Sequence, residues 1–250
     1  MANTETVMSS AQDLLKVVVE DAVPALGKPW WRGQPAGKEL IPKAYRDSAN
    51  RRMEWLRTPQ FVQRARTRHA RVPDDKQHSD WLFLMQHYGL PTRLLDWTES
   101  PLIGCYLAVR NDPENPGDSY LWALSPEALN ITSHIGAPDL IHPNEIAPYF
   151  ELPFAREDPP GVPQGIIAVL ATEIDFRMLQ QQSAFTIHGT HTPLEALPDK
   201  DYFLKSYRVP CAAKGRLRDE LFLLGIREAN LFPDLGHLAA DLRVHITATS

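Results

Sequence analysis

The side chains best suited to chemistry are concentrated in one short segment between Leu84 and Thr98. It reads Leu-Met-Gln-His-Tyr-Gly-Leu-Pro-Thr-Arg-Leu-Leu-Asp-Trp-Thr. Polar groups among apolar residues must be paired or used, because burying them without partners costs free energy. We therefore expect this segment to form the floor of a site, with candidate side chains from Gln86, His87, Tyr88, Thr92, Arg93, Asp96 and Thr98.

Two further polar clusters lie on either side of this segment. The first, Trp30-Trp31-Arg32-Gly33-Gln34, places an arginine beside a glycine. Such an arginine can lay its guanidinium along a phosphate or carboxylate, with Gly33 leaving room for the ligand. The alternative is that Arg32 stacks on a tryptophan at the surface. The second cluster runs from Arg177 to His188 and contains Gln181, and by itself it fits a solvated loop as well as a site.

The elements that position these clusters follow from periodicity and from cap residues. Ser10 predicts the start of a helix over 9–22, which Gly27 and Pro29 end. A strand is expected at 30–34, a helix over 46–69 interrupted at Thr58-Pro59, and a helix over 74–88 that Gly89 ends. An extended segment over 92–97 then leads into an apolar, buried helix over 101–109.

The second half of the chain predicts more strands. They are expected at 119–124, 165–171, 184–188 and 202–209, with helices over 175–179, 214–224 and 237–242. Prolines are frequent between 130 and 163, which predicts a long segment without regular secondary structure there. We expect a single α+β domain over residues 1–250, with small mixed or antiparallel sheets flanked by helices and the helix over 9–22 as an extension.

The charge of the chain is unevenly distributed. With 26 basic and 31 acidic residues the net charge is −5, which gives no global attraction to nucleic acid or to an anionic membrane. From Lys43 to Arg71, however, nine basic residues stand against two acidic ones, a local charge of +7. This stretch is either a solvated helix face or a phosphate-facing surface.

Other features exclude several classes of protein. Cys105 and Cys211 are far apart, and neither belongs to a CxxC pair, so we expect no disulfide framework. The nine histidines match no metal-binding spacing, and we expect no metal. No leader peptide and no membrane span are visible, so the prediction is a cytoplasmic protein without a membrane partner. Nothing in the pattern specifies an oligomeric state.

Taken together, the clusters resemble the FRG domain family. The central match runs from Gln86 to Thr98 and continues with Ser100-Pro101. Flanking matches are Trp31-Arg32-Gly33-Gln34, Leu40-Ile41-Pro42, Tyr45-Arg46, Arg177, Gln181, Phe185, Gly225-Ile226 and Leu231-Phe232-Pro233-Asp234-Leu235. One departure is Ser183, where the family pattern leads us to expect glycine.

The order of the motifs is similar to the layout of ADP-ribosyltransferases. In those enzymes a first-strand arginine holds NAD, a Ser-Thr-Ser strand shapes the nicotinamide pocket and a third-strand glutamate contacts the ribose. Carried over, the resemblance implies catalytic roles for Asp96, Thr98 and Gln181. It also implies NAD contacts from Arg32, Gly33, Gln34, His87, Tyr88 and Arg93.

The residue at the third-strand position is a departure, because Gln181 carries no charge to stabilise an oxocarbenium-like transition state. The anionic partner would then be Asp96, Glu173 or Asp175, of which Asp96 lies in the most specific motif. Its alternative role is a fold-holding pair with Arg93 or Arg32.

These features support more than one function. The first is a nucleotide-using transferase, with NAD as the substrate of ADP-ribosyl transfer, that acts as a toxin or phage-defence effector. The second is a non-catalytic module that binds a nucleotide or a nucleic acid, the latter through the basic stretch 43–71. A hydrolase that uses His87 and Asp96 as its acid–base pair rests on residue types alone.

Overall fold

The computed structural model describes residues 5–69, 72–110, 116–133, 142–155, 164–170, 176–239 and 242. Within these residues the α+β prediction is confirmed, and the strands form a single open antiparallel sheet of six strands. The strand order is β4-β5-β2-β1-β3-β6. The strands are β1 (Trp30–Pro35), β2 (Leu94–Thr98), β3 (Ser119–Leu124), β4 (Ile166–Val169), β5 (Ser183–His188) and β6 (Leu204–Val209).

Helices cover both faces of this sheet. The α-helices are α1 (Ala11–Lys16), α2 (Val23–Leu26), α3 (Ser48–Ala65), α4 (His78–His87), α5 (Pro101–Val109), α6 (Pro126–Thr132), α7 (Ala147–Glu151), α8 (Phe176–Gln180), α9 (Lys214–Leu223) and α10 (Glu228–Leu231). A π-helical segment, Val17–Ala22, joins α1 to α2. Short 3₁₀ turns span Pro143–Ile146, Leu152–Phe154, Leu194–Ala196, Lys200–Tyr202 and Cys211–Ala213.

Local sequence signals account for the boundaries of the helices near the central motif. The Ser100 hydroxyl accepts a hydrogen bond from the amide of Ile103 and caps α5, and Pro101 occupies its first turn. Gly89 follows α4 with a φ of +80°, a conformation that glycine adopts without steric cost. The polar segment therefore ends one helix and leads directly into the strand before the next.

Two predictions about helices are wrong. Helix α3 runs through Pro59 without interruption, because Pro59 is exposed and water can reach the carbonyl that its missing N–H would have served. The stretch 130–163 is not irregular throughout. Pro143, Pro148 and Pro153 each lie in the first turn of a short helix, where a missing N–H costs nothing, so they begin helices instead of breaking them.

The buried apolar residues of the described part of the chain form three clusters. One cluster packs α5 and α9 against β1, β3 and β6 and includes Trp31. A second packs α4 and α7 against β2, β4 and β5 around Phe83. A third covers the opposite face and includes Trp30 and Trp97. The first two clusters lie on one face of the sheet, one over β1, β3 and β6 and the other over β2, β4 and β5.

No helix among the described residues is both long and apolar enough to span a membrane.

Candidate functional site

A cleft opens at the centre of the sheet because two neighbouring strands diverge. Strands β1 and β2 pair only at Trp31 and Thr98. By contrast, β1 pairs with β3 from Trp30 to Pro35, and β2 pairs with β5 along its whole length. The resulting cleft has a volume of about 1060 Å³ and lies between residues of α4 and α5.

The cleft collects most of the site residues predicted from the sequence. Those that line it are Arg32, Gly33, Gln34, His87, Tyr88, Asp96 and Gln181. Arg32, Gly33 and Gln34 lie on β1, Asp96 on β2 and Gln181 in the turn before β5, while His87 and Tyr88 lie at the end of α4. Two other predicted residues, Arg93 and Thr98, are buried away from it.

Arg32 bridges the divergence between the strands. Its Nη1 donates a hydrogen bond of 2.6 Å to the backbone oxygen of Asp96, and its Nε donates to Oε1 of Gln34 at 3.3 Å. The side chain is only 16 % exposed. Burial lowers the pKa of Arg32 to about 10, with a further lowering from Arg46, while the Asp96 carboxylate opposes the shift. The guanidinium therefore remains charged at neutral pH and faces the cleft.

The Asp96 carboxylate is held at the cleft but remains accessible. Nε2 of Gln86 donates to both of its oxygens at 2.9 Å, and the Thr92 hydroxyl in turn donates to Oε1 of Gln86 at 2.6 Å. The nearest approach of Arg32 Nη1 to an Asp96 carboxylate oxygen is 4.0 Å, and the Asp96 side chain is 55 % exposed. A neutral amide orients this carboxylate, so it keeps its negative charge available to a ligand.

Arg93 has a different environment although it belongs to the same motif. Its Nε and Nη2 donate to the two carboxylate oxygens of Glu54 at 3.2 and 2.5 Å. Both side chains are less than a tenth exposed. This pair joins β2 to α3, so the pairing of Asp96 with Arg93 that the sequence allowed is not the one the structure has.

Gly33 is required for packing, which differs from the role expected for it. A Cβ atom at this position would lie 2.1 Å from the backbone nitrogen of Ala108 and 2.3 Å from the backbone oxygen of Gly104. A Cβ on Gly104 would in turn meet Cβ of Trp31 at 2.7 Å. The two glycines let α5 lie directly on β1, so space for a ligand is not the reason that glycine is needed at position 33.

Gln181 and Thr98 tie the third cluster to the sheet. The Thr98 hydroxyl donates to the backbone oxygen of Gln181 at 2.7 Å and accepts from the amide of Ser100 at 3.1 Å. Nε2 of Gln181 donates to the backbone oxygen of Leu231 at 2.9 Å. Thr98 thus fixes the backbone beneath the cleft, and Gln181 is oriented by the chain at the end of α10.

His87 and Tyr88 form one wall of the cleft. Their rings meet edge to face, with centroids 4.8 Å apart. Tyr88 is 56 % exposed, so the wall presents an aromatic surface to a ligand.

The cleft is strongly cationic in a chain whose net charge is negative. Two carboxylates, Asp96 and Asp234, line it together with seven basic side chains, a net charge of +5. A cleft lined by one sign of charge focuses the field and raises the local concentration of oppositely charged ligands. The basic residues are Arg32, Lys38, Lys43, Arg46, Arg110, Arg177 and Lys214.

The sequence did not single out several of these cleft residues. Arg110 and Arg177 both lie over the ring of Phe232, at 5.6 and 4.7 Å from its centroid. Phe232 and Arg177 belong to motifs quoted for the family resemblance, which was the available signal, whereas Arg110 and Lys214 carried none. Glu173 and Asp175, the other candidates for an anionic partner, lie outside the described residues, as does Arg71 of the basic stretch. In the described part of the chain, no group of three or more His, Cys, Asp or Glu side chains could hold a metal ion.

Comparison with known proteins identifies one region of the chain. Residues 27–116 match the family model of the FRG domain, which confirms the assignment made from the motifs. The match includes β1, α4, β2 and α5, and therefore Arg32 and Asp96, but ends before Gln181. No curated protein and no solved structure matches the chain significantly.

Proposed function

We propose that this FRG-domain protein is an NAD-dependent ADP-ribosyltransferase that acts as a toxin or phage-defence effector. The observation that carries the proposal is the convergence of three polar clusters on one cationic cleft. Arg32 comes from β1, Asp96 from β2 and Gln181 from the turn before β5. Along the chain, these three clusters follow the motif order of the ADP-ribosyltransferase layout, in which an NAD-binding arginine comes first, the nicotinamide pocket second and the ribose-contacting residue third.

The charge of the cleft suits the two phosphates of NAD. Arg32 is already oriented by Asp96 and Gln34, so little side-chain entropy is lost when a phosphate oxygen binds it. Lys38, Lys43 and Arg46 line the same cleft and add to its positive field. The phosphates would therefore lie on this side, with the nicotinamide end toward β2.

The Asp96 carboxylate supplies the negative charge that the reaction needs. In ADP-ribosyl transfer the bond between nicotinamide and C1′ of the ribose breaks, and its electron pair leaves with nicotinamide. The nucleophilic atom of the acceptor bonds to C1′ and gives up its proton. Positive charge develops on the ribose in the transition state, and a carboxylate fixed in advance stabilises it without reorganising. Gln86 provides that fixation for Asp96 through two hydrogen bonds.

Gln181 assists without contributing charge. Its Nε2 is engaged with Leu231, which directs the remaining amide oxygen as an acceptor for a ribose hydroxyl. Thr98 holds the backbone of Gln181 from below. In this proposal Gln181 orients the ribose, and Thr98 is a positioning residue.

The test is turnover of NAD that carries separate labels in nicotinamide and in the adenylate. Purified protein with a cell extract should release nicotinamide and transfer the adenylate label to an acceptor. Asp96→Asn should lower nicotinamide release about 10²- to 10³-fold, the typical effect of losing one transition-state stabiliser. Its dissociation constant for NAD should change by less than about threefold, because the carboxylate is proposed to stabilise the transition state and not the bound substrate.

The matched control is Asp219→Asn, which makes the same substitution at an exposed position on α9 that does not line the cleft. It should leave the nicotinamide release rate unchanged. If the folded wild-type protein releases no nicotinamide and labels nothing in the extract, the proposed transferase activity is refuted.

A second candidate function is a nucleotide- or nucleic-acid-binding module without catalysis. The observation in its favour is Gln181, which is uncharged and already hydrogen-bonded to Leu231. Under this alternative, calorimetry would detect NAD binding that depends on Arg32, with no release of nicotinamide. A loss of activity in Asp96→Asn with preserved affinity would exclude it.

A further inference from the structure

A second depression lies beside the cleft, along one face of α3. Its volume is about 520 Å³, and it is lined by the exposed side of α3, the turn after it and the end of α4. Arg57, Phe61 and Arg64 follow one another at spacings of four and three residues, which places them on one face of α3, and Arg68 lies in the turn after this helix. We call this depression the α3 groove.

The α3 groove is cationic at its rim. Arg57, Arg64 and Arg68 line it, and no Asp or Glu is present among the described residues of its lining. Arg64 and Arg68 are exposed, and the Nη1 of Arg68 donates to the backbone oxygen of Arg64, an uncharged acceptor. Arg66 does not line the groove, and it forms an ion pair with Asp75. Arg64 and Arg68 therefore contribute exposed positive charge to the rim of the groove.

The centre of the α3 groove is aromatic. Tyr88 is more than half exposed, and the rings of Phe61 and His69 lie 6.5 and 5.9 Å from its centroid. Flat rings bordered by arginines are the arrangement that holds single-stranded nucleic acid, with bases on the rings and phosphates on the guanidinium groups. Double-stranded nucleic acid hides its base faces and cannot use such rings.

Tyr88 connects the groove to the active-site candidate, because it lines both the α3 groove and the cleft. We infer that the α3 groove binds single-stranded nucleic acid and delivers it to the cleft as the acceptor of ADP-ribose. Binding in the groove follows from the arginines and rings alone, whereas the role as acceptor rests on the proposed transferase function. In the transfer, a base nitrogen or a hydroxyl of the strand forms the bond to C1′ and loses its proton as nicotinamide leaves.

Binding is measured first, without NAD, by the fluorescence anisotropy of labelled 12-nucleotide DNA and RNA strands of mixed sequence. The logarithm of the association constant should fall with the logarithm of salt concentration with a slope of about −2, the value for three phosphate contacts. Arg64→Gln/Arg68→Gln should weaken binding at least roughly tenfold and flatten that slope by about 1.4. The control Arg66→Gln/Arg216→Gln removes the same charge from exposed positions outside the groove and should change affinity less than about twofold.

The aromatic contribution is tested at Tyr88. Tyr88→Leu should weaken binding roughly 5- to 150-fold, the range for the loss of one stacking platform, while Tyr88→Phe should keep most of the affinity. Three results would overturn the inference. The groove and control double variants could bind the strands equally well, or the wild-type protein could bind a 12-base-pair duplex as tightly as a single strand. Polyglutamate could also compete for the groove as effectively as unlabelled single strands do. The last of these would identify an acidic peptide as the occupant.

The acceptor role is tested separately with adenylate-labelled NAD and the same strands. Label should appear on the strand, and Arg64→Gln/Arg68→Gln should lower that labelling while hydrolysis of NAD by water continues at the wild-type rate. Strand binding without any NAD turnover would refute the transferase and leave the groove assignment standing. NAD turnover with no labelled strand would refute the acceptor role alone.

Discussion

The sequence predicts NAD contacts for both Arg32 and Arg93, and replacing Arg93 by methionine tests whether Arg93 instead stabilises the fold. Arg93 and Glu54 form a pair in which both side chains are less than a tenth exposed. Removing one partner leaves the other charge buried, which costs about 3–5 kcal/mol. For a chain of 250 residues this corresponds to a fall in melting temperature of about 6 to 20 °C. The measurement is chemical denaturation, supported by a thermal scan.

Two further variants give reference values for the stability lost in Arg93→Met. Arg93→Met/Glu54→Leu removes both charges and should recover most of the lost stability, since apolar replacements of a buried pair are often neutral. Arg66→Met breaks the exposed pair of Arg66 with Asp75 and should cost about 0–1 kcal/mol. If Arg93→Met costs no more than Arg66→Met, or if it abolishes NAD binding in a protein of unchanged stability, Arg93 is a ligand residue and its structural assignment is refuted.

Three other predictions concern the sheet and the cleft. Arg32→Met should weaken NAD binding more than about tenfold while lowering stability less than Arg93→Met does. The reason is that both hydrogen bonds of Arg32 go to neutral groups, and its ion pair with Asp96 is 4.0 Å long and involves a carboxylate that is 55 % exposed. Calorimetry measures the affinity and a thermal scan the stability, and the reverse order would contradict the site. Gly33→Ala should cost at least about 1–3 kcal/mol in chemical denaturation, because its Cβ meets the backbone of α5, whereas Gly117→Ala, which has open space, should cost far less. Burial lowers the pKa of His188 to about 3 from 6.5, so as pH falls below about 6.5 the unfolded chain takes up the proton first and stability decreases by up to about 1.4 kcal/mol per pH unit. His188→Gln should remove that component of the pH dependence, and an unchanged dependence would show that His188 is not its source.

Local signals in the sequence were sufficient for most elements of the fold. The Ser100 cap with Pro101 gave the start of α5, and the apolar content of that helix gave its burial. The strand expected at 119–124 is β3, with the same bounds. The sequence was insufficient where one residue type is compatible with two local structures, as proline is. Pro59 and Pro143 have the same local chemistry, yet one lies within a helix and the other begins one, because solvent exposure and position in the turn decide what the missing N–H costs.

For the candidate site, the sequence determined which residue types are available, and residues 27–116 match the family model of the FRG domain. Only the tertiary structure decided how they divide between the cleft and the core. Arg93 and Asp96 are three residues apart, but one is buried against α3 while the other reaches the cleft, where Gln86 orients it. Spacing along a strand cannot specify which partner a distant helix brings. The limited pairing of β1 with β2 is likewise a property of the whole sheet, since it becomes visible only when the two strands are placed beside each other.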